Sequence, residues 1–334
     1  VSTRSNPQRN MARYVCWRLL WAVVATCFVL TVTFGILSAS PNPEASQAAW
    51  EAAQSGGDPT ETREILEQRR GETGSIAEQY VDYMVSMATF DWGESFTYNE
   101  PVTTVIADAW VYSAITVIPA TVLAVVLGFA IGLYSATHQY TKTDYAATFV
   151  AFFGISIPNF WFAIVLVLVF GELLGLTPIS YDSEVPFWSL AHLSYLVLPI
   201  TVLATSAIAS EMRYARAEAL EYVGAAWIKT ARAKGISELQ VTVRHVFRPA
   251  LVPLITILIA DVVGIIFATA YIVEVIFGIP GLGYVSYQAL VRMDTPLVLA
   301  TTLIPVFLTI VANLCQDVAY TMLDPRIDYE GGSR

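Results

Sequence analysis

The chain has 334 residues, 55% of them hydrophobic and only 14% charged, with a formal net charge of −10. A soluble globular chain carries about 25% charged residues. Too little polar side chain is present to cover a soluble surface of this size, so composition excludes an ordinary soluble domain and directs attention to membrane spans.

A bilayer span needs about 20 mostly apolar residues. Six windows meet that demand: Tyr14–Ser38, Ser113–Ala136, Ala146–Phe170, Leu190–Ser210, Pro249–Val275 and Pro296–Met322. Backbone polar groups must be paired inside hydrocarbon, and each run is far longer than a barrel strand, so the predicted fold class is all-α with six transmembrane helices. Residues 1–13 form a basic tail carrying Arg4, Arg9 and Arg13. The first span also resembles a cleavable secretory signal ending in Ser38-Ala39-Ser40. Its apolar stretch from Leu19 to Leu37 is longer than the roughly 7–15 residues of a signal core, and a retained span over 14–38 is the expectation.

Residues 39–108 follow as an acidic segment. From Ala39 to Tyr112 there are three basic residues (Arg63, Arg69, Arg70) against thirteen acidic ones, which accounts for the whole net charge; the remainder holds fifteen of each sign. Seven basic residues fall between Glu211 and Arg248, and Gly171 to Ser189 has none. Basic residues are retained in the cytoplasm, which places both termini inside and the acidic segment outside. Pro41, Asn42, Pro43 and the Gly56-Gly57-Asp58-Pro59 break predict loops, and Thr60 to Arg70 a helix with Thr60 as N-cap. Lysine is scarce beside fifteen arginines, which fits either a high-salt habitat or a GC-rich genome.

Within the core, residues 109–323, Ala120, Ala124, Gly128 and Gly132 recur every four positions and line one helix face with small side chains. That stripe suits either packing within the bundle or contact with a partner. Pro119, Pro158 and Pro199 each remove a helix hydrogen bond, with Ile157-Pro158-Asn159 as the expected break. Cys16 and Cys27 stand eleven positions apart on one helix, about 16 Å, too far to bridge. With Cys315 alone in the last span, no disulfide and no metal site are expected.

The inner loop 211–248 is the most informative stretch. Ala217 to Ala233 favours a helix with Gly224 as its weak point, Gly235 is a natural stop, and Ser237 and Glu238 begin a second helix towards Pro249. Glu221 lies on the first of these helices. A short helix of this kind on the inner face can lie on lipid or plug into a soluble partner.

Lys229-Thr230-Ala231-Arg232-Ala233-Lys234-Gly235-Ile236-Ser237-Glu238, followed by Arg244-His245 and Arg248, resembles the cytoplasmic coupling loop of the dipeptide/oligopeptide class of binding-protein-dependent ABC importer permeases. Gly154-Ile-Ser-Ile-Pro-Asn-Phe-Trp161, Glu274-Val-Ile-Phe-Gly-Ile-Pro-Gly-Leu-Gly283 and Asp324-Pro325-Arg326 resemble further motifs of that class, and residues 324–334 would be an inner tail. The resemblance implies a MetI-like, type I importer permease fold in the prokaryotic cell membrane. It also implies partners: a second related permease, two ATPase subunits that bind ATP and Mg, and an extracytoplasmic substrate-binding protein. The Glu-Ala-Ala triplet of the general coupling loop is absent here, and Ser40-Pro-Asn-Pro replaces the usual outer P-G-D-P, which leaves receptor docking and cargo open among dipeptides, longer peptides, nickel chelates and sugars.

No G-x-x-x-x-G-K-[ST], H-E-x-x-H, C-x-x-C or G-x-S-x-G occurs in the chain. The expectation is a transport subunit that is not an enzyme and holds no cofactor of its own. Asp261, near the middle of the fifth span, either lines the translocation path, makes a structural hydrogen bond, or is protonated and silent. Glu274 either contributes to an outer gate or caps the glycine turn after it. Together with Pro158 and Asn159 these are the candidate pathway residues. The rival class is an ion-coupled secondary transporter, with Asp261, Glu274 and Asp317 as its relay.

Overall fold

The computed structural model describes residues 7–39, 43–61, 64–65, 75–187, 189–251, 253–255, 258 and 270–323. They divide into two compact units, residues 1–107 with 286–310 and residues 108–285 with 311–334. Among the described residues, four helices are long and apolar enough to cross a membrane: Val15–Ile36, Val102–Thr137, Leu190–Val223 and Thr295–Gln316. Two further helix pairs, each bent at a short break, bring the number to as many as six.

In the first unit, α1 (Pro7–Ala39) meets α3 (Ile76–Thr89) where the hydroxyls of Thr31 and Tyr80 lie 2.8 Å apart and Phe34 meets Tyr80 edge-on and Tyr83 at a tilt. Between them α2 (Pro43–Ser55) fills the interval between the two predicted turn clusters, ending at the expected break at Gly56-Gly57-Asp58. Pro43 suits a first helical position, and the Ala, Glu and Gln that follow are strong helix formers. The next turn is capped by Asp58 rather than Thr60: the Thr60 amide donates to Asp58 Oδ1 at 2.8 Å, and Pro59 takes the first helical position. Residues 66–70 of the predicted helix lie outside the described residues. The start of α3 is a capping box, with Glu78 N donating to Ser75 Oγ at 3.3 Å and Ser75 N to Glu78 Oε2 at 2.8 Å.

A two-stranded antiparallel hairpin, β1 (Glu94–Ser95) and β2 (Glu100–Pro101), pairs Glu94 with Pro101 and Ser95 with Glu100. It is tied to the buried Asp294 at the start of the last helix, which accepts from Ser95 Oγ at 2.5 Å and Thr97 N at 2.9 Å.

The second unit contains most of α4 (Val102–Thr137), then α5 (Lys142–Ser156), α6 (Asn159–Leu166, continued by a π-helical turn over Val167–Leu173) and α7 (Leu190–Val223). The predicted third span is broken: α5 and α6 meet at 97°. Pro158 disfavours helical backbone at Ile157, which is extended at φ −86°, ψ 124°. Pro119 and Pro199, by contrast, lie inside continuous helices. The small-residue stripe of α4 is used within the chain. A Cβ on Gly128 would lie 2.6 Å from Glu211 Cβ, and one on Gly132 2.6 Å from the Met212 carbonyl, so α4 approaches α7 as closely as backbones allow.

The inner loop differs from expectation. The predicted helix over Ala217–Ala233 is two helices, because α7 ends at Val223 and α8 spans Ala226–Ala233, with Gly224 as the cap between them. Next come α9 (Glu238–Gln240) and a π-helical turn over Val241–Phe247. The last elements are α10 (Ala270–Phe277), α11 (Leu282–Val291) and α12 (Thr295–Leu323). Residues 259–269 of the predicted fifth span, Asp261 among them, lie outside the described residues.

Candidate functional site

The loop 211–248 is built on a buried face of α8. Ile228 and Ala231 pack among Phe129, Leu133, Ala215, Ala219, Val241 and Val246, which seats the helix against α4, α7 and the turn after α9. Its end is a Schellman motif. Gly235 N donates to Arg232 O at 2.9 Å and Ile236 N to Ala231 O at 3.3 Å, with Gly235 at φ +74°. Ile236 folds back onto the same apolar cluster. The positive φ explains why a glycine stands here.

Across this turn Arg232 donates to both carboxylate oxygens of Glu238, at 2.9 and 3.1 Å. Both side chains are exposed, so the pair contributes no more than about 1 kcal/mol and serves mainly to fix the angle of the turn. Ser237 occupies the N-cap position of α9 in extended conformation, without a side-chain cap bond.

The other face of α8 is open. Lys229, Thr230, Ala233 and Lys234 are exposed, and Trp227 is 54% exposed. Beyond the turn, Leu239, Val243 and Arg244 are exposed, while His245 is half-buried and Glu221 is exposed at the end of α7. An indole on α8 and two aliphatic side chains beyond the turn are thus exposed on the same loop as Lys229, Lys234 and Arg244, while the opposite face of α8 is fixed in the apolar cluster. No group of three or more potential metal ligands occurs among the described residues.

A second site surrounds Glu274, 1% exposed at the end of α10. Its Oε1 accepts from Ser113 Oγ at 2.6 Å, and its Oε2 accepts from the amides of Gly283 and Tyr284 at 2.7 and 3.3 Å. The Leu282 amide donates to Ser113 Oγ at 2.8 Å. Glu274 therefore caps the first turn of α11, where free amides and the helix dipole favour a carboxylate. Of the two alternatives for Glu274, this geometry builds the cap. The turn is anchored further by Tyr181 N, which donates to Phe277 O at 2.8 Å. The Tyr181 hydroxyl lies 2.7 Å from His192 Nε2, and burial pushes the Tyr181 phenol up to about 12.

Pro158 and Asn159 lie at the α5–α6 break, away in sequence from both sites. Residues that sequence reasoning passed over are Ser113, Asp144, Arg216 and Asp294. Asp144, 3% exposed in the first turn of α5, accepts from Arg216 Nε and Nη2, both at 3.2 Å, and from Ser135 Oγ. Asp144 had a local signal, since it follows the capping hydroxyl of Thr141, and so had Asp294, three residues before the Leu297 amide that it accepts from. Ser113 and Arg216 act on carboxylates 161 and 72 positions away.

Four long apolar helices and two bent helix pairs among the described residues define a multi-pass membrane protein. The chain belongs to the family described as binding-protein-dependent transport system inner membrane component, which it matches over residues 128–329. It is 32% identical to the oligopeptide transport system permease protein AppB of Bacillus subtilis, with 96% of this chain and all of the relative covered. The oligopeptide transport system permease proteins OppB of Haemophilus influenzae and Escherichia coli K12 are 32% and 31% identical over the same shares. Among solved structures, a chain of the inward-facing MetNI methionine ABC transporter matches with a TM-score of 0.50 and 15% identity, over 65% of this chain and 97% of that one. That likeness concerns the fold.

Proposed function

We propose that this chain is a permease subunit of an ABC importer that moves peptides inward across the prokaryotic cell membrane. ATP and Mg are bound by two separate ATPase subunits that dock on the open face of α8. An extracytoplasmic binding protein delivers the peptide, and a second, related permease completes the pathway. Both termini and the loop 211–248 face the cytoplasm, as the arginine asymmetry requires.

The observation that carries this reading is the Schellman-stopped helix α8, anchored by Ile228 and Ala231 and exposing Trp227, Lys229 and Lys234. The oligopeptide permeases among its relatives support peptide as the cargo. An ion-coupled carrier leaves that surface without a purpose. Of the relay such a carrier would use, Glu274 has both oxygens engaged by hydrogen bonds that cap a helix.

The test is copurification. With the partner subunits coexpressed, Gly235→Val should leave the two permeases together in the membrane and remove the ATPases and peptide-stimulated ATP hydrolysis. A Gly235→Val complex that keeps its ATPases and transports normally overturns the docking assignment.

A further inference from the structure

The cytoplasmic halves of α4, α5 and α7 are joined by more than apolar packing. Asp144 at the start of α5 is buried, and Arg216 of α7 grips both its oxygens at 3.2 Å while also donating to Ser135 Oγ of α4 at 2.9 Å. The Tyr140 amide, just before α5, donates to Asp144 Oδ2 at 2.9 Å. One guanidinium and one carboxylate thus bridge three helices.

Close backbone contacts flank this knot. A Cβ on Gly132 would lie 2.7 Å from Ala215 Cβ and 3.0 Å from Arg216 N. One on Gly154 of α5 would lie 3.1 Å from Thr205 O and 3.2 Å from Ala209 Cβ. Helices that touch backbone to backbone and are pinned by a planar, bidentate pair resist sliding past one another. From Arg216, α7 continues for two turns to Val223 and passes through Gly224 directly into α8.

We propose that Arg216 and Asp144 are positioning residues for coupling: their pair makes the inner halves of α4, α5 and α7 move as one block when α8 is displaced. The inference rests on the reading of this chain as an importer permease driven through α8. It assigns the pair to transmission, and the docking surface itself needs neither residue.

The test uses the complete importer with its ATPases and binding protein in proteoliposomes, and a labelled oligopeptide pool as cargo. Asp144→Asn and Arg216→Gln should keep the ATPases bound and basal hydrolysis intact, while peptide moved per ATP falls roughly tenfold, a usual size for coupling between sites. Because the two residues act as one unit, the double variant should be no worse than either single one. Asp144→Glu, which keeps the charge, should retain most of the ratio. If Asp144→Asn does not reach the membrane, Arg216→Lys, which keeps the charge but loses the fork, decides by the same ratio. A normal ratio in the single variants, additive losses in the double variant, or loss of the ATPases would each overturn the proposal. A wild-type importer whose ATP hydrolysis ignores peptide-loaded receptor would instead refute the underlying reading, so the two failures are distinct.

Discussion

The carboxylate of Glu274 occupies the space that a side chain on Gly281 would need: a Cβ there would lie 2.5 Å from both carboxylate oxygens. Glu274 cannot swing aside, because Ser113 and the Gly283 and Tyr284 amides hold it. Glycine at 281 and glutamate at 274 are therefore one device, in which the absent side chain leaves room for the cap.

Gly281→Ala should cost about as much as losing the cap itself, on the order of 1–3 kcal/mol for the buried groups left unpaired. Ser113→Ala should cost less, since Gly283 and Tyr284 still hold the carboxylate. Thermal unfolding of the detergent-solubilised chain with its partners measures both. A Gly281→Ala protein of unchanged stability would show that the cap is dispensable.

Gly235 differs in kind. A Cβ there meets nothing within 4 Å, and only its φ of +74° constrains the residue. Gly235→Asn should therefore be tolerated, because asparagine enters the left-handed region readily, while Gly235→Val should cost about 1 kcal/mol or more and misdirect α8. Retention of the ATPases by the two variants measures the difference. Equal behaviour of Asn and Val would show that backbone conformation is not what selects glycine here.

Orientation is testable with cysteines placed at exposed serines. Ser55 is the last residue of α2, in the segment proposed to face out, and Ser237 stands in the loop proposed to face the cytoplasm. An impermeant thiol reagent applied to intact cells should label Ser55→Cys and spare Ser237→Cys until the membrane is opened. The native Cys16, Cys27 and Cys315 are replaced beforehand, being exposed in the chain. Labelling of Ser237→Cys in intact cells would reverse the topology.

The buried Asp294 holds the β1–β2 hairpin and caps α12 at once, with Leu297 N at 3.4 Å from Oδ1. Asp294→Ala should destabilise by about 1–3 kcal/mol and loosen residues 94–101, seen as faster amide exchange there. Unchanged exchange would mean the strands hold without it.

What the sequence discloses and what it hides divide along contact range. Four of the span positions follow from apolar runs because the bilayer imposes them, and the stop at Gly235 follows because a helix end is local chemistry. Ser75-Ile-Ala-Glu78 is equally local, a capping box legible inside the acidic stretch. Gly224 is a weak point in the sequence, yet nothing nearby forces a break; the chain turns there because Ile228 and Ala231 reach the apolar cluster shared with α4 and α7. Ser113 with Glu274, and Arg216 with Asp144, are 161 and 72 positions apart. Their partnership exists only after the helices pack.

The most direct test of the whole account is uptake of a labelled oligopeptide pool into proteoliposomes containing this chain, its partner permease, ATPases and binding protein. Uptake should require ATP and all of these subunits, and should persist when ionophores collapse proton and sodium gradients. Accumulation of peptide by this chain alone, driven by an ion gradient without ATP, would contradict it.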